Sequence, residues 1–516
     1  MDQFWRLVGP RSIAVASAFL LVTGVSMLWV FSSLYVTGLS TIPLIGDELG
    51  NAEQRRKGFI SHAQKLYNMG YAKFKNRTWR LTGTDGDRIV LPRHLLDDVG
   101  RMPDSHISIE KAIEKSNEIR YTGLGGTQGE TEFLIHLIRS DLTHALNRIN
   151  PRLEEEIAHA TVEELGPCED WTRAVIYQKM LRIVAIASGN IFIGPDLCRS
   201  EEWIVPAITY TVDLFTAIGK LKQWRWWTRP IGQYFIPEIE SLHQHRRKAV
   251  EWLEPVVAKR RQMMEKKGYE APDDMLQWMM NKGHEFNVSD NSLALIQLNL
   301  SLAAIHTTTL TTTLVLYDIV AQPGLVQELR NEVRTAMANH GDKLTTRALH
   351  DMRLLDSVMK ESQRTNPVNL VRFIRIVEKP VTLSDGTYLP PGTHIESAHA
   401  SILQDPNLYS NPETFDGHRF LNLRSGATPD PLQYKNKEQY QFVTATKDFM
   451  SFGYGRHACP GRFFAGNEIK LILARILVDY DFKMPDGLTE RYANLNTGLD
   501  SLPDPTQALL FKRLNS

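Results

Sequence analysis

The first pattern along the chain is apolar: no charged residue interrupts Ile13 to Val36, and roughly 20 apolar residues suffice to cross the hydrocarbon layer of a bilayer as a helix. A cleaved signal peptide is the alternative. Its apolar core runs to only about 7–15 residues, and no clear small-residue cleavage site follows here. The run therefore predicts an uncleaved transmembrane anchor over 13–36, after a short flank of 1–12. Arg6 and Arg11 before it are nearly balanced by Arg55, Arg56 and Lys57 after it, so charge leaves the orientation open. Ile42-Pro43-Leu44-Ile45-Gly46 reads as a rigid connector inside a 37–50 linker, and the body of the chain is 51–516.

In that body the apolar positions recur mostly at helical spacing. Such patterns run through Glu132 to Ile149, Glu238 to Lys267 with a kink expected at Pro255, Ser292 to Val320, Gly324 to Asn339 and Leu355 to Thr365. Two stretches break the rule. Thr78 to Thr82 and Arg88 to Leu91 cluster β-formers around Gly83-Thr84-Asp85-Gly86 and predict a hairpin, and Val381 to Ile395 carries a second, weaker strand signal interrupted by turns. The expected fold is mainly α with small β-sheets, an α+β body behind one membrane helix.

Composition narrows the partners. With 59 basic and 59 acidic residues the formal charge is zero, which gives no reason to expect nucleic acid. Only Cys168, Cys198 and Cys459 occur, an odd and scattered set unlike a secreted disulfide framework. Trp224, Trp226 and Trp227 with Arg225 and Arg229 make an aromatic and basic knot suited to a membrane interface, or to plain loop packing.

Chemistry concentrates in Phe452-Gly453-Tyr454-Gly455-Arg456-His457-Ala458-Cys459-Pro460-Gly461. A cysteine in a loop that ends at a helix N-terminus meets backbone amides and the positive dipole end, which favour a thiolate. Pro460 suits a first helical turn, Gly455 and Gly461 permit conformations or approaches that a side chain blocks, and Phe452 can shield the sulfur. An inert cysteine in a glycine-rich turn is the alternative. Cys168 and Cys198 have no such surroundings.

The segment resembles the haem-binding loop of the cytochrome P-450 family, F-x-x-G-x-R-x-C-x-G, except that His457 stands for the arginine. Two further stretches in the family's order resemble its other motifs. Glu361 and Arg364 share a predicted helix face, and Arg419 follows in Phe415-Asp416-Gly417-His418-Arg419-Phe420. Ala303-Ala304-Ile305-His306-Thr307-Thr308 is similar to the oxygen-activation motif (A/G)-G-x-(D/E)-T-(T/S), with Ala304 in place of glycine and His306 in place of the acid.

The resemblance implies the P-450 fold over nearly the whole chain. It also implies haem b (iron protoporphyrin IX) with Cys459 as axial ligand of the iron, and His457 with Arg375 or the competing Arg372 against the haem propionates. Arg139 is a weaker candidate for that contact. Glu361, Arg364 and Arg419 would be a structural triad, while Thr307 would orient oxygen and its proton source. Histidine can shuttle protons near neutrality, so His306 is carried as a second catalytic candidate. The threonine-rich run can equally well back-bond to helix carbonyls and bend the helix.

Activity follows by the same implication: oxidation of a hydrophobic small molecule with O₂, by a monooxygenase whose electrons come from a separate NADPH-dependent reductase, with cytochrome b5 as a second donor. The motif wording resembles fungal microsomal members of secondary, terpenoid-oxidising metabolism, hence a single-pass protein of the endoplasmic reticulum membrane with its body in the cytosol. The glycosylation patterns at Asn76, Asn287 and Asn299 would then stay unmodified. Two alternatives stay open: a haem-thiolate isomerase, dehydratase or peroxide-using enzyme, and a non-catalytic haem protein.

Overall fold

The computed structural model describes residues 39–514, so the anchor expected over 13–36 lies outside the described residues. The connector is seated on the body: Leu39 and Ile42 are buried, and Leu44–Ile45 (β1) pairs in parallel with Trp79–Gly83 (β2). The predicted hairpin is present as β2 and Gly86–Val90 (β3). It is extended into a six-stranded sheet in the order β1-β2-β3-β9-β6-β4 by Ile107–Ser108 (β4), Arg372–Val377 (β6) and His394–Ser397 (β9). Thr172–Val175 (β5), Tyr480–Lys483 (β10) and Ala508–Arg513 (β13) form a second sheet. Val381–Thr382 (β7) with Tyr388–Leu389 (β8), and Asn494–Thr497 (β11) with Asp500–Pro503 (β12), are isolated pairs.

The remainder is helical. Ala52–Phe74 (α1) starts at a capping box in which Asn51 and Gln54 satisfy each other's backbone amides. After the short Ile109–Ser116 (α2), the pattern read over 132–149 proves to be two helices, Gln128–Leu137 (α3) and Thr143–Leu165 (α4), joined by a π turn at Ile138–Leu142. Ile176–Phe192 (α5), Glu201–Gln223 (α6) and Pro237–Met264 (α7) follow, α7 running on through Pro255. Leu293–Val320 (α8) is the central helix, apolar almost all round and correspondingly buried. It packs against α5, α6, α7 and the last helix, Arg462–Asp479 (α12), while Leu325–Ala338 (α9), Arg353–Thr365 (α10) and Arg419–Ser425 (α11) close the other side. Among the described residues α6 and α8 are long and apolar enough to cross a membrane, but α8 owes its apolar surface to the core it fills.

Candidate active site

α8 carries the first part of the site. Along its buried middle, Ala303 and Thr307 keep accessible surface one helical turn apart. The Thr307 hydroxyl donates to the Ala303 carbonyl at 2.8 Å, and Thr311 and Thr312 back-bond in the same way to the Thr307 and Thr308 carbonyls at 2.9 and 2.8 Å. Back-bonding and an open threonine are therefore both present.

His306, 100° further round the helix, does not share that opening. Its ring is buried, with Nε2 3.0 Å from the Ile208 carbonyl of α6 and Nδ1 3.3 Å from the Tyr177 hydroxyl at the start of α5. The carbonyl can only accept, so Nε2 carries the hydrogen and Nδ1 accepts from Tyr177. Burial lowers the pKa of the ring, and the bond to Ile208 offsets only part of this.

α12 carries the second part at its N-terminus. Cys459 has accessible surface, yet it is deep enough that burial pushes its thiol up; both hold when the sulfur faces a cleft inside the core. Hydrogen bonds from the Gly461 and Arg462 amides, with the charges of Arg462 and Arg372, pull the other way and favour the thiolate. The loop is closed by the Cys459 amide donating to the Phe452 carbonyl at 2.7 Å, and Phe452 stands edge-on to Phe442 at 5.2 Å.

The glycines divide. Gly455 adopts φ +68° and Gly453 φ +78°, and a Cβ on Gly453 would come within 3.2 Å of the His457 carbonyl. Gly461 has φ −86° and its nearest such neighbour is Ile138 at 3.7 Å, so no protein atom demands glycine there. The helix starts at Arg462, so Pro460 sits before it and not in its first turn.

The third part comes from β6. Residues three apart on a regular strand point to opposite faces. Here the register shifts between Arg372 and Arg375, with Phe373 at φ +57°, and both arginines line one cavity of about 310 Å³ together with His457 and Gly453. Neither guanidinium has a carboxylate partner among the described residues. Arg372 Nε is buried with no hydrogen-bond partner, Arg375 donates only to the Ile374 carbonyl at 2.7 Å, and burial pushes Arg375 down to about 10.

His457, which lines the same cavity, has Nε2 2.9 Å from Asp104 and 3.1 Å from Arg456 Nε, so its second ring nitrogen is not used by these partners. Arg139 donates to the Arg456 carbonyl at 2.8 Å from the exposed side of the loop. Two buried, unpaired cations are costly unless an anion meets them. A dianionic ligand edge against Arg372, Arg375 and His457, with the Cys459 sulfur near enough for its charge to act on Arg372, is a donor set that haem b requires, and the residues fit it.

Behind the loop, Glu361 is fully buried and receives both arginines. Arg364 Nε and Nη2 reach its two oxygens at 2.8 Å each, and Arg419 Nε reaches them at 3.0 and 3.1 Å. The remaining N–H groups of Arg364 are taken by the carbonyls of Leu403, Pro412 and Thr414, and those of Arg419 by Ser410, Asn411 and Thr414. The triad thus fastens α10 to the segment that leads into the haem loop. Sequence reasoning missed Gly453, Tyr177 and the bulge at Phe373; only Gly453 had a local signal, as a glycine two residues before one already singled out.

Comparison with known proteins agrees. The family model for cytochrome P-450 matches residues 132–510. The cytochrome P-450 monooxygenase braC of Annulohypoxylon truncatum is 36% identical over 476 residues, 92% of this chain and 93% of its own. AN1598 of Emericella nidulans, likewise a cytochrome P-450 monooxygenase, is 35% identical over 98% of this chain and 94% of its own, and paxP of Penicillium paxilli is 36% identical over 88% and 86%. On the matched domain, the relatives and the fold, the chain belongs to the cytochrome P-450 family of monooxygenases, oxidoreductases that bind haem b through a cysteine thiolate.

Proposed function

We propose that this protein is a fungal, membrane-anchored monooxygenase that hydroxylates a hydrophobic secondary metabolite, of the terpenoid class or related to it, with electrons from an NADPH-dependent reductase and cytochrome b5 as a second donor. The observation that carries the chemistry is Cys459, cradled by the Gly461 and Arg462 amides beside the charges of Arg462 and Arg372, with accessible surface left on the sulfur-bearing residue. Haem, when bound, supplies dioxygen activation and insertion of one oxygen atom into a C–H bond. The chain does the rest. Arg372 and Arg375 neutralise the propionate edge with His457 beside them, and the apolar body of α8 keeps water from the reacting carbon. The Thr307 hydroxyl, held by Ala303, keeps its lone pairs toward the cleft and can pass a proton there. His306 can take a proton on Nδ1 and keep both partners if the Tyr177 hydroxyl turns from donor to acceptor.

The substrate class rests on the motif wording and on the fungal origin of the relatives. Placement at the endoplasmic reticulum, with the body in the cytosol, rests on the apolar run 13–36 and on an exposed aromatic tip between α6 and α7. Trp226 is 73% exposed there, Tyr234 83% and Phe235 71%.

The reduced, carbon-monoxide-treated protein is expected to show the far-red-displaced Soret band of thiolate ligation, and Cys459→Ala to lose it while the Glu361 triad keeps the chain folded. A band that survives in Cys459→Ala refutes the assignment. Turnover that needs neither O₂ nor NADPH would select the haem-thiolate isomerase reading instead.

A further inference from the structure

Three buried polar atoms with no hydrogen-bond partner among the described residues stand together behind the propionate edge: Arg372 Nε, Ser397 Oγ and His399 Nδ1. The strand register brings them there. Arg372 of β6 lies directly opposite Ser397 of β9 in an antiparallel pair, so the two side chains rise next to each other from one face of the sheet. His399 follows two residues on, at the start of the short helix His399–Leu403, and the charge of Arg372 acts on its ring. The Ala400 amide donates to the Leu370 carbonyl at 3.0 Å, which pins this corner to the approach to β6.

Only Arg372 of the three lines the cavity of about 310 Å³; Ser397 and His399 back it, 0% and 1% exposed. The other side of the His399 ring meets the haem loop. It stands edge-on to Phe449 at 6.3 Å, and its Nε2 lies 3.4 Å from the Ser451 hydroxyl. Ser451 directly precedes Phe452, whose carbonyl receives the Cys459 amide. One imidazole therefore stands between an arginine of the propionate edge and the loop that carries the thiolate. Burial first, and the Arg372 charge after it, hold the ring well below its usual range, so it is neutral and has one donor and one acceptor nitrogen. Arg372 offers only donors. Nδ1 is then the acceptor on the arginine side, and Nε2 carries the hydrogen toward Ser451.

Buried polar groups without a protein partner are commonly met by an ordered water, which takes two to four polar partners. Here the partners are a donor at Arg372, an acceptor at His399 and, at Ser397, a hydroxyl that can serve as either. We propose that His399 is a positioning residue for the haem: with Ser397 it holds one shared water against Arg372 Nε and so fixes the guanidinium with its Nη end toward a propionate. A guanidinium can meet a carboxylate with two parallel N–H groups, and occupying Nε leaves the Nη pair for that task. Without His399 the Nε–H is stranded, and the guanidinium turns to cover it at the expense of the propionate. Outer partners of this kind change retention of the group they support by about 10- to 100-fold.

The haem-loaded, full-length protein in detergent tests this with two readouts, the rate of haem transfer to apomyoglobin and the propionate bending band in the resonance Raman spectrum. Asparagine carries a polar atom where Nδ1 stands, and glutamine carries one where Nε2 stands. His399→Asn should therefore keep both readouts near wild type, while His399→Gln and His399→Leu should shift the band and speed haem loss by about 10-fold. In an Arg372→Gln background, His399→Leu should add nothing to the loss already present. Rescue by glutamine in place of asparagine, equal losses in all three variants, additive losses with Arg372→Gln, or wild-type behaviour throughout each overturns the role. Ser397→Ala should show the same changes to a smaller degree and decides the matter if the His399 variants do not fold; identity with wild type in both readouts then overturns it. The inference rests on the haem-thiolate reading but fails separately from it, since every variant keeps Cys459 and the carbon-monoxide band decides ligation before any rate is read.

Discussion

At the scale of single residues the haem loop makes a contrast that sequence alone levels out. Its three glycines look equivalent in the motif, but only two have a positive φ, and only Gly453 also has backbone in the way of a side chain. A methyl group there must displace the His457 carbonyl, 3.2 Å away, or the loop must shift, and the positive φ adds strain of roughly 1 kcal/mol or more for a residue with a Cβ. Gly453→Ala should therefore lower the melting temperature of the apoprotein and its haem retention together. Gly461→Ala should leave apoprotein melting unchanged or slightly raised, because alanine at a compatible φ removes roughly 0.4–1 kcal/mol of unfolded-state entropy. If Gly461→Ala loses haem with its melting intact, the glycine is needed by the cofactor and not by the chain. Equal melting losses in the two variants would contradict the geometry. In the same loop Asp104 and Arg456 both address His457 Nε2, so Nδ1 has a hydrogen to offer only in the tautomer whose Nε2 accepts from Arg456.

At the scale of elements the core is held by a carboxyl that no motif announced. Glu468 of α12 is fully buried, accepts from Ser188 of α5 at 2.7 Å and lies beside Thr308 of α8, joining the three central helices. Burial pushes it up to about 8 from an ordinary 4.5. Between those values the folded protein holds a proton that the unfolded chain has released, so the contribution of Glu468 to stability is greatest below pH 4.5 and falls as pH rises toward 8. The slope is at most about 1.4 kcal/mol per pH unit. Glu468→Gln keeps an acceptor for Ser188 and cannot ionise, so its melting temperature relative to wild type should rise steadily from pH 5.5 to pH 8. Parallel curves for the two proteins would show that Glu468 does not titrate in that range.

Elements also show where the sequence was legible. The helices with one apolar stripe, α7, α9 and α10, were found from periodicity alone, and the β2–β3 hairpin from its Gly83 to Gly86 turn. α5 was not singled out although Gln178, Lys179 and Arg182 give its first half a polar side; its second half, Ile183 to Phe192, is buried throughout and carries no period. The break between α3 and α4 was invisible for a different reason: a π turn adds one residue within a continuous run of helix formers. In the site, Cys459 and the Glu361–Arg364–Arg419 triad could be named in advance because their spacing is local or their motif explicit. That Arg372 and Arg375 share a cavity could not, since it depends on a bulge at Phe373, a residue with no turn propensity.

For the whole molecule the membrane attachment proposed above can be tested at two places among the described residues. The first is where the body begins: Leu39 and Ile42 are buried, and the Arg80 side chain donates to the Ile42 carbonyl at 3.0 Å. A chain starting at residue 38 should therefore keep the fold, whereas one starting beyond Ile45 strips β1 from the edge of β2 and should not. The second is the aromatic tip, where Trp226, Trp227, Ile231, Tyr234 and Phe235 stand exposed on one connection. Apolar area of that kind inserts at the headgroup boundary at about 25 cal/mol per Å², so each large side chain contributes roughly 1.5–3 kcal/mol. The chain starting at residue 38 should accordingly still co-sediment with phosphatidylcholine vesicles, and Trp226→Ser with Phe235→Ser should weaken that binding at least about 10-fold with the carbon-monoxide band unchanged. Should the shortened chain stay wholly in the supernatant, the tip is ordinary loop packing and membrane attachment rests on the N-terminal span alone. Should it bind and the double variant release it, the body has a bilayer contact of its own at the tip, in addition to the N-terminal span proposed for the full chain.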